Sequence, residues 1–266
     1  MMQRAAVLGS PVAHSLSPAL HRAAYEAMGL DAQYDAIEVS RDELRSFVEG
    51  CGPQWLGLSL TMPLKAEAVR VATTVDGLAA TLNAANTLIP IDGGWRAENT
   101  DVAGIVHAIG PIAVRSAVVL GAGASARSAL AALSQLGVRD VVMAARRVEA
   151  ASQNAELAAE FDIALHPIAL NDEFELADVE ICVSTLPPHA ADNVQVDGFV
   201  GTLLDIAYDP WPSVLATAWL QHGGRVIPGH EMLLFQAAEQ VRLMTGRDPN
   251  VEAMRLGLEA ALAARA

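Results

Sequence analysis

Apolar residues fall into short unbroken runs that alternate with stretches of helical spacing. AAVLG at 5–9 is an apolar run ending in glycine, the pattern of a buried strand. SLSPALHRAAYEAMG follows, with Ser17 placed as an N-cap, Pro18 at the first helical position and Gly29 just past the end. YDAIEV (34–39) reads as a second strand and WLGLSL (55–60) as a third. Between them Ser40 and Glu43 have capping-box spacing ahead of a helix. TMPLK opens another helix, and NTLIPI and GWRAEN, joined around Asp92 and Gly94, predict a hairpin. Strand and helix in alternation predict an α/β unit.

The pattern breaks at GPIAVRS (110–116) and restarts. SAVVLGAGASARSALAALSQLG is a strand, a Gly-rich turn and a helix in one run, and DVVMAAR is the next strand. VEICVST and TLLDIA predict further strands. Residues 230–265 predict two helices separated at GRDPN, where Pro249 enforces a stop. The expected architecture is therefore α/β and two-lobed. An N-terminal α/β domain over 1–102 is rejoined by C-terminal helices from about 233 to 266, and a Rossmann-type dinucleotide-binding domain spans 103–232.

Composition narrows the function classes. With 52% hydrophobic and 18% charged residues, the 266-residue chain has ample material for a core and does not read as disordered. A net charge of -14 sets the surface against phosphate backbones and anionic lipids, so a small-molecule ligand is expected rather than nucleic acid or membrane. Two cysteines, Cys51 and Cys182, make no disulfide framework, and Cys182 lies inside a strand-like run. No apolar stretch approaches the ~18 residues that span a bilayer, and the start lacks a signal peptide's pattern. These features predict a cytoplasmic protein, monomer or homodimer, with no metal-ligand spacing.

Gly121-Ala122-Gly123-Ala124-Ser125-Ala126 stands between a strand and a helix, the context that gives a dinucleotide fingerprint its meaning. The first glycine permits the turn, the second lets backbone approach the pyrophosphate, and the helix N-terminus supplies free N–H groups. At the end of the next strand an NAD site would carry a carboxylate for the ribose hydroxyls. Ala144-Ala145-Arg146-Arg147 has none, and its guanidiniums suit a 2′-phosphate, so NADP is the expected cofactor. A solvated helix start is the plain competitor for the two arginines.

The first lobe carries Ser15 and Ser17 in S-L-S-P, Thr61 and Lys65 in TMPLK, Asn86-Thr87, and Asn99-Thr100-Asp101, mostly at strand-to-helix junctions. In their order and spacing GSPVAHSLSP, TMPLK, AANT, NTD, GAGASAR, DIAYDP and EMLLFQAA resemble the shikimate dehydrogenase family over essentially the whole length. The resemblance implies NADP-dependent reduction of 3-dehydroshikimate to shikimate in aromatic amino-acid biosynthesis. It makes Lys65 and Asp101 the catalytic pair and has Ser15 and Ser17 bind the substrate carboxylate. By the same matching Thr61, Asn86, Tyr208 and Gln236 line the substrate pocket. Ile206 and Gly229 approach the nicotinamide, and Ser184 and Thr185 border the cofactor cleft. An amine closed off from water can serve as the proton carrier, with the carboxylate as its partner.

Plain readings stand beside these. Asp101 precedes VAGIVHAI and has the place of a helix cap, Ser17 that of an N-cap, Lys65 that of a solvated lysine, Gln236 that of a surface residue and His14 that of a loop histidine. The chain also departs from the family pattern. The usual Asn-Val-Thr is Ser59-Leu60-Thr61, losing an amide. His-Asn is His21-Arg22, and Asn-Arg-Thr is Ala145-Arg146-Arg147. Glu231 has no assigned role. A quinate or aminoshikimate dehydrogenase, or an NADP-binding regulator without turnover, are the alternatives.

Overall fold

The computed structural model describes residues 2–171 and 174–265. The chain divides into two compact units, Met1–Gly104 with Leu233–Ala266, and Ile105–Met232. The first unit opens with β1 (Gln3–Gly9), α1 (Ser17–Ala27), β2 (Ala32–Glu38), α2 (Leu44–Glu49), β3 (Trp55–Leu60), α3 (Lys65–Val71), β4 (Thr74–Val75) and α4 (Gly77–Leu82). The hairpin β5 (Thr87–Ile91) and β6 (Gly94–Glu98) leads to α5 (Asp101–Ile109). Strands of the sheet run in the order β2-β1-β3-β5-β6-β4.

β1 is parallel to β2 and β3, whereas β5 is antiparallel to both β3 and β6. The C-terminal ends of β1, β3 and β6 and the start of β5 therefore share one edge of the sheet. The interior strands β1 and β3 are buried almost throughout, as their unbroken apolar runs require, while the edge strand β2 alternates. Leu8, Leu58, Leu60, Leu64, Leu88 and Trp95 form one core against this sheet.

Local expectations were mostly met, with two corrections. Ser17 is not the N-cap of α1: Leu16 holds that place, and Ser17 is the first helical residue. Its amide N–H donates instead to Ser15 Oγ at 3.2 Å, so the hydroxyl of Ser15 does the capping. Gly29 does take the left-handed conformation past the helix end, at φ 63°. Glu43 accepts from both Ser40 N and Ser40 Oγ, yet α2 begins only at Leu44, so half of the capping box forms ahead of the helix proper.

The second unit comprises β7 (Ser116–Leu120), α6 (Ala124–Gln135), β8 (Asp140–Ala145), α7 (Val148–Ser152), α8 (Ala155–Glu160), β9 (Ala164–Ala169), β10 (Glu175–Leu176), β11 (Val179–Ser184), β12 (Gln195–Val196), β13 (Val200–Asp205), α9 (Val214–Gln221) and β14 (Arg225–Pro228). Its main sheet, β14-β13-β11-β7-β8-β9, is parallel throughout. This is the doubly wound order, with the winding reversing between β7 and β11, where such sheets open a ligand crevice. The two-residue strands β4, β10 and β12 carry too little pattern to be read in advance.

α10 (Gly229–Thr245) begins in the second unit and continues into the first, and α11 (Val251–Ala263) follows, capped by Asn250 Oδ1 accepting from Ala253 N at 3.1 Å. α11 lies tightly on α1. A Cβ on Gly257 would stand 2.7 Å from Ala23 Cβ. Among the described residues no helix is long and apolar enough to cross a membrane.

His21 on α1 is fully buried, stacked on Tyr34 with ring centroids 3.9 Å apart, and its Nδ1–H donates to the Ser17 carbonyl at 3.0 Å. Burial pushes its pKa down to about 4. The unfolded chain binds this proton below an ordinary value near 6.5, whereas the native state refuses it until about 4. Native stability is thus full above pH 6.5 and lost on acidification through that window, by on the order of 3 kcal/mol. Urea unfolding between pH 7 and pH 4 should show His21→Phe with a shallower decline than the parent. Equal slopes would remove His21 as the cause.

Candidate active site and dinucleotide-binding turn

In the first unit the shared sheet edge collects four chain passages. Lys65 is the first residue of α3, after the turn that leaves β3, and Asp101 is the first residue of α5, after β6. Asn86 precedes β5, whose backbone pairs on both sides: Leu60 N donates to Asn86 O and Asn86 N to Glu98 O. Lys65 Nζ lies 2.6 Å from Asp101 Oδ2, with side-chain exposures of 17% and 5%. The other carboxylate oxygen, Oδ1, accepts from Asn86 Nδ2 at 2.8 Å, and Asn86 Nδ2 also reaches Thr100 Oγ1 and Gln236 Oε1.

Asp101 does not serve as the helix cap. Asn99 Oδ1 accepts from the N–H groups of Asp101 and Val102, which satisfies the start of α5 and leaves the Asp101 carboxylate for Lys65 and Asn86. The positive end of α5 further favours a negative charge there. A largely buried ion pair adds little net stability, because desolvation offsets most of the attraction. Such a pair, aligned by a third polar group at a sheet edge, has a donor and an acceptor within reach of one proton.

The serine motif and Thr61 sit at the same edge, on the loops that follow β1 and β3. Ser15 is half-buried and Ser17 buried, the latter hydrogen-bonding toward the Tyr34 phenol. Thr61 packs on Gly9 so closely that a Cβ there would lie 2.4 Å from Thr61 Cγ2. Beyond α11, Arg265 donates to the backbone oxygens of His14 and Ser15, tying the chain end to the serine loop. His14 itself is exposed, on the loop, as a histidine without catalytic partners would be. Gln236 is buried, not a surface residue.

Three buried polar residues were missed by sequence reasoning: Tyr34, Ser59 in any active role, and Gln240. One signal was present, since Gln240 lies one helical turn beyond Gln236 and so on the same face of α10.

The second unit builds its site from backbone. Gly121 has φ 104°, and a Cβ there would fall 2.4 Å from Thr185 Oγ1. Thr185 N and Oγ1 both donate to Leu120 O at 2.8 Å, fixing the end of β11 against the Gly turn at the reversal point. Gly123 is the N-cap of α6, so Ala124 and Ser125 occupy the first turn, and Ala126 is fully buried where the helix meets the sheet. Ala122 accepts from Asn154 Nδ2 at 3.5 Å. Arg146 and Arg147 are exposed just past β8, and no carboxylate stands with Ala144 and Ala145 at that strand end.

Ile206 N donates to Ser184 O, and a Cβ on Gly229 would lie 2.3 Å from Ile206 O, so Ser184, Ile206 and Gly229 are drawn together at the strand ends. Tyr208, half-buried, belongs to this unit and not to the one holding Asn86 and Gln236. Asp205 is buried and its pKa is raised by that burial, opposed by hydrogen bonds from Ser213, Ala207 N and Ser184. Glu231, in the first turn of α10, sits where the helix end favours a carboxylate. Burial pushes the Cys51 thiol up to about 11 and Cys182 higher still, which removes both as nucleophiles at neutral pH. Among the described residues no three His, Cys, Asp or Glu side chains converge as a metal site.

Comparison with known proteins gives the same picture across both units. The shikimate dehydrogenase substrate binding domain matches residues 7–88, and the shikimate 5′-dehydrogenase C-terminal domain matches 229–255. A shikimate dehydrogenase (NADP(+)) of Halobacterium salinarum is 36% identical over 271 residues, covering 96% of this chain and 98% of its own. The crystal structure of Mycobacterium tuberculosis shikimate dehydrogenase superposes with a TM-score of 0.90 at 42% identity, over 97% of this chain and 99% of that one. Shikimate 5-dehydrogenase from Thermus thermophilus, solved in complex with NADP(H) and shikimate, has a TM-score of 0.85 at 30% identity, over 98% and 100%. The chain belongs to the shikimate dehydrogenase family.

Proposed function

We propose that the chain reversibly reduces 3-dehydroshikimate to shikimate with NADPH, and that the Lys65–Asp101 pair, held at 2.6 Å, carries the proton. The pair, together with its Asn86 strut, is the observation that carries the reading, because a binding protein without turnover has no use for an aligned ammonium and carboxylate. NADPH supplies the hydride. Lys65 Nζ gives a proton to the ketone oxygen as that oxygen gains charge, and in the reverse direction the amine takes the proton of the alcohol. Asp101 keeps the amine aimed and balances its charge.

The ring acid is gripped by hydroxyls and amides: its carboxylate by Ser15 and Ser17, its ring hydroxyls by Thr61, Asn86, Gln236 and Tyr208. The first unit thus carries the substrate residues other than Tyr208, and the second carries the cofactor turn. The turn Gly121, Ala122, Gly123, Ala124 and Ser125 fits a pyrophosphate, since its φ 104° glycine turns the backbone into the α6 N-terminus, whose positive end favours an anion. Arg146 and Arg147 fit the 2′-phosphate that distinguishes NADP from NAD. Ile206 and Gly229 approach the nicotinamide, and Ser184 and Thr185 border the cofactor cleft. The two unpaired thiols suit the reducing cytoplasm.

Following reduced-nicotinamide absorbance with shikimate or quinate crossed against NADP⁺ or NAD⁺ tests this directly. Turnover is expected with shikimate and NADP⁺, and robust quinate oxidation with NAD⁺ alone would overturn both assignments. Lys65→Ala should cut kcat by about 10²–10⁴-fold, the span of general acid–base catalysis, while KM for shikimate moves little. A raised KM with unchanged kcat would reduce Lys65 to a binding group. Replacing Arg146 and Arg147 together by Ala should raise KM for NADP⁺ by about 10–100-fold, the worth of one or two charge-assisted hydrogen bonds. KM for NAD⁺ should stay as it was.

A further inference from the structure

The polar residues under the Lys65–Asp101 pair form a hydrogen-bond chain whose direction is fixed at every link. Asp101 beside an ammonium can only accept, so Asn86 must present Nδ2 to it, at 2.8 Å. Asn86 Oδ1 then faces Thr100 N at 2.8 Å and the Thr87 hydroxyl at 3.0 Å, and Thr87 must donate. The lone pairs of Thr87 accept from Gln240 Nε2 at 3.0 Å, and the same nitrogen donates to Asn86 O at 3.0 Å. Gln240 Oε1 accepts from Ser59 Oγ at 2.8 Å, and Ser59 accepts from Tyr34 OH at 2.6 Å. Tyr34, Ser59, Asn86, Thr87 and Gln240 are each at most 3% exposed.

We propose that Gln240 is a positioning residue of this site: it locks the Asn86 amide in the orientation that holds Asp101, and through it the Lys65 ammonium. The inference rests on the catalytic role given to that pair. Gln240 acts at two points. Its N–H groups fix the backbone carbonyl before β5, and they commit the only proton of Thr87 to Asn86 Oδ1. Both of its amide hydrogens and its oxygen are used, so no other side chain of similar shape reproduces the pattern. Asn and Gln amides do not pass protons readily, so the chain orients dipoles and does not conduct protons. Ser59 stands where the resemblance predicts an asparagine, and Gln240 brings an amide into that gap from α10, a segment 181 residues further along.

The test uses the full chain with three replacements. Gln240→Glu keeps shape and the acceptor but loses the two donors. Gln240→Ala removes the side chain, and Ser59→Asn with Gln240→Ala returns an amide from the β3 side. Both single variants should lower kcat about tenfold, the effect of a small misalignment of reacting groups, with KM for shikimate and the NADP⁺ dissociation constant within about twofold. The double variant should recover at least half of the lost turnover. Unchanged kcat in Gln240→Glu, or a loss carried by KM alone, overturns the proposal. The side-chain amide resonances of Asn86 provide a second readout that needs no catalysis. They should shift in Ser59→Ala, although the Ser59 hydroxyl bonds to Tyr34 and Gln240 and not to Asn86, and if they stay in place the chain does not transmit orientation. If the parent itself fails to turn over shikimate, the functional reading fails, while the resonances still decide whether Gln240 sets Asn86.

Discussion

The structure of the first unit turns on keeping an ammonium and a carboxylate together where water is mostly excluded. Taking Lys65 and Asp101 out of solvent costs several kcal/mol per ion in general, and their attraction alone repays it poorly. The surrounding elements supply what water withdrew. α5 points its positive end at Asp101, Asn86 donates to the oxygen that Lys65 leaves over, and Asn99 takes the capping duty that would otherwise claim the carboxylate. Each group reaches the spot because β3, β5 and β6 end or begin at one edge of a mixed sheet. The antiparallel insertion of β5 is therefore a functional part of the topology: it delivers Asn86 to the edge where β3 delivers Lys65.

The second unit solves a different problem with different material. Where the first unit places side chains, the second brings backbone segments close together. Gly121 is needed both for its φ of 104° and for space, and Gly229 for space, since a methyl group at either would lie within 2.5 Å of Thr185 Oγ1 or Ile206 O. Thr185 completes the arrangement by tying β11 to β7 at the winding reversal. A site made of N–H groups and a helix end recognises charge on phosphate and tolerates variation in the side chains around it. The loss of family-typical residues flanking Arg146 is easier to bear in such a site than the loss of a glycine.

Legibility in the sequence followed the range of the interactions. WLGLSL at 55–60 is β3 to the residue, and the strand–GAGASA–helix run is β7, its turn and α6, because these depend on neighbours in the chain. The candidate pair was legible only as a member of an ordered set of motifs, since nothing local tells Asp101 from a helix cap. The Ser17 cap was misread for the same reason, and the cap reading that competed for Asp101 fails likewise. Ser17 and Asp101 have the right residue type for capping, but Ser15 and Asn99, each two positions earlier, hold the bonds. Which of two nearby polar residues holds the cap and which meets Tyr34 or Lys65 depends on elements distant in the chain.

Gln240 is the extreme of that trend. Its partners lie 153 to 181 residues away, and read alone it is one more polar residue on an amphipathic helix. Its burial is what demands an account, because an uncharged amide at 1% exposure is tolerable only when fully hydrogen-bonded. Once Ser59 is too short to span the gap under β5, the edge of the sheet needs an amide from another direction, and α10, already carrying Gln236 to the same place, is the element that passes within reach. A substitution that looks like a defect at position 59 is then half of a pair. The polar framework constrains the sum of groups around Asn86, and it leaves open which strand or helix provides each one.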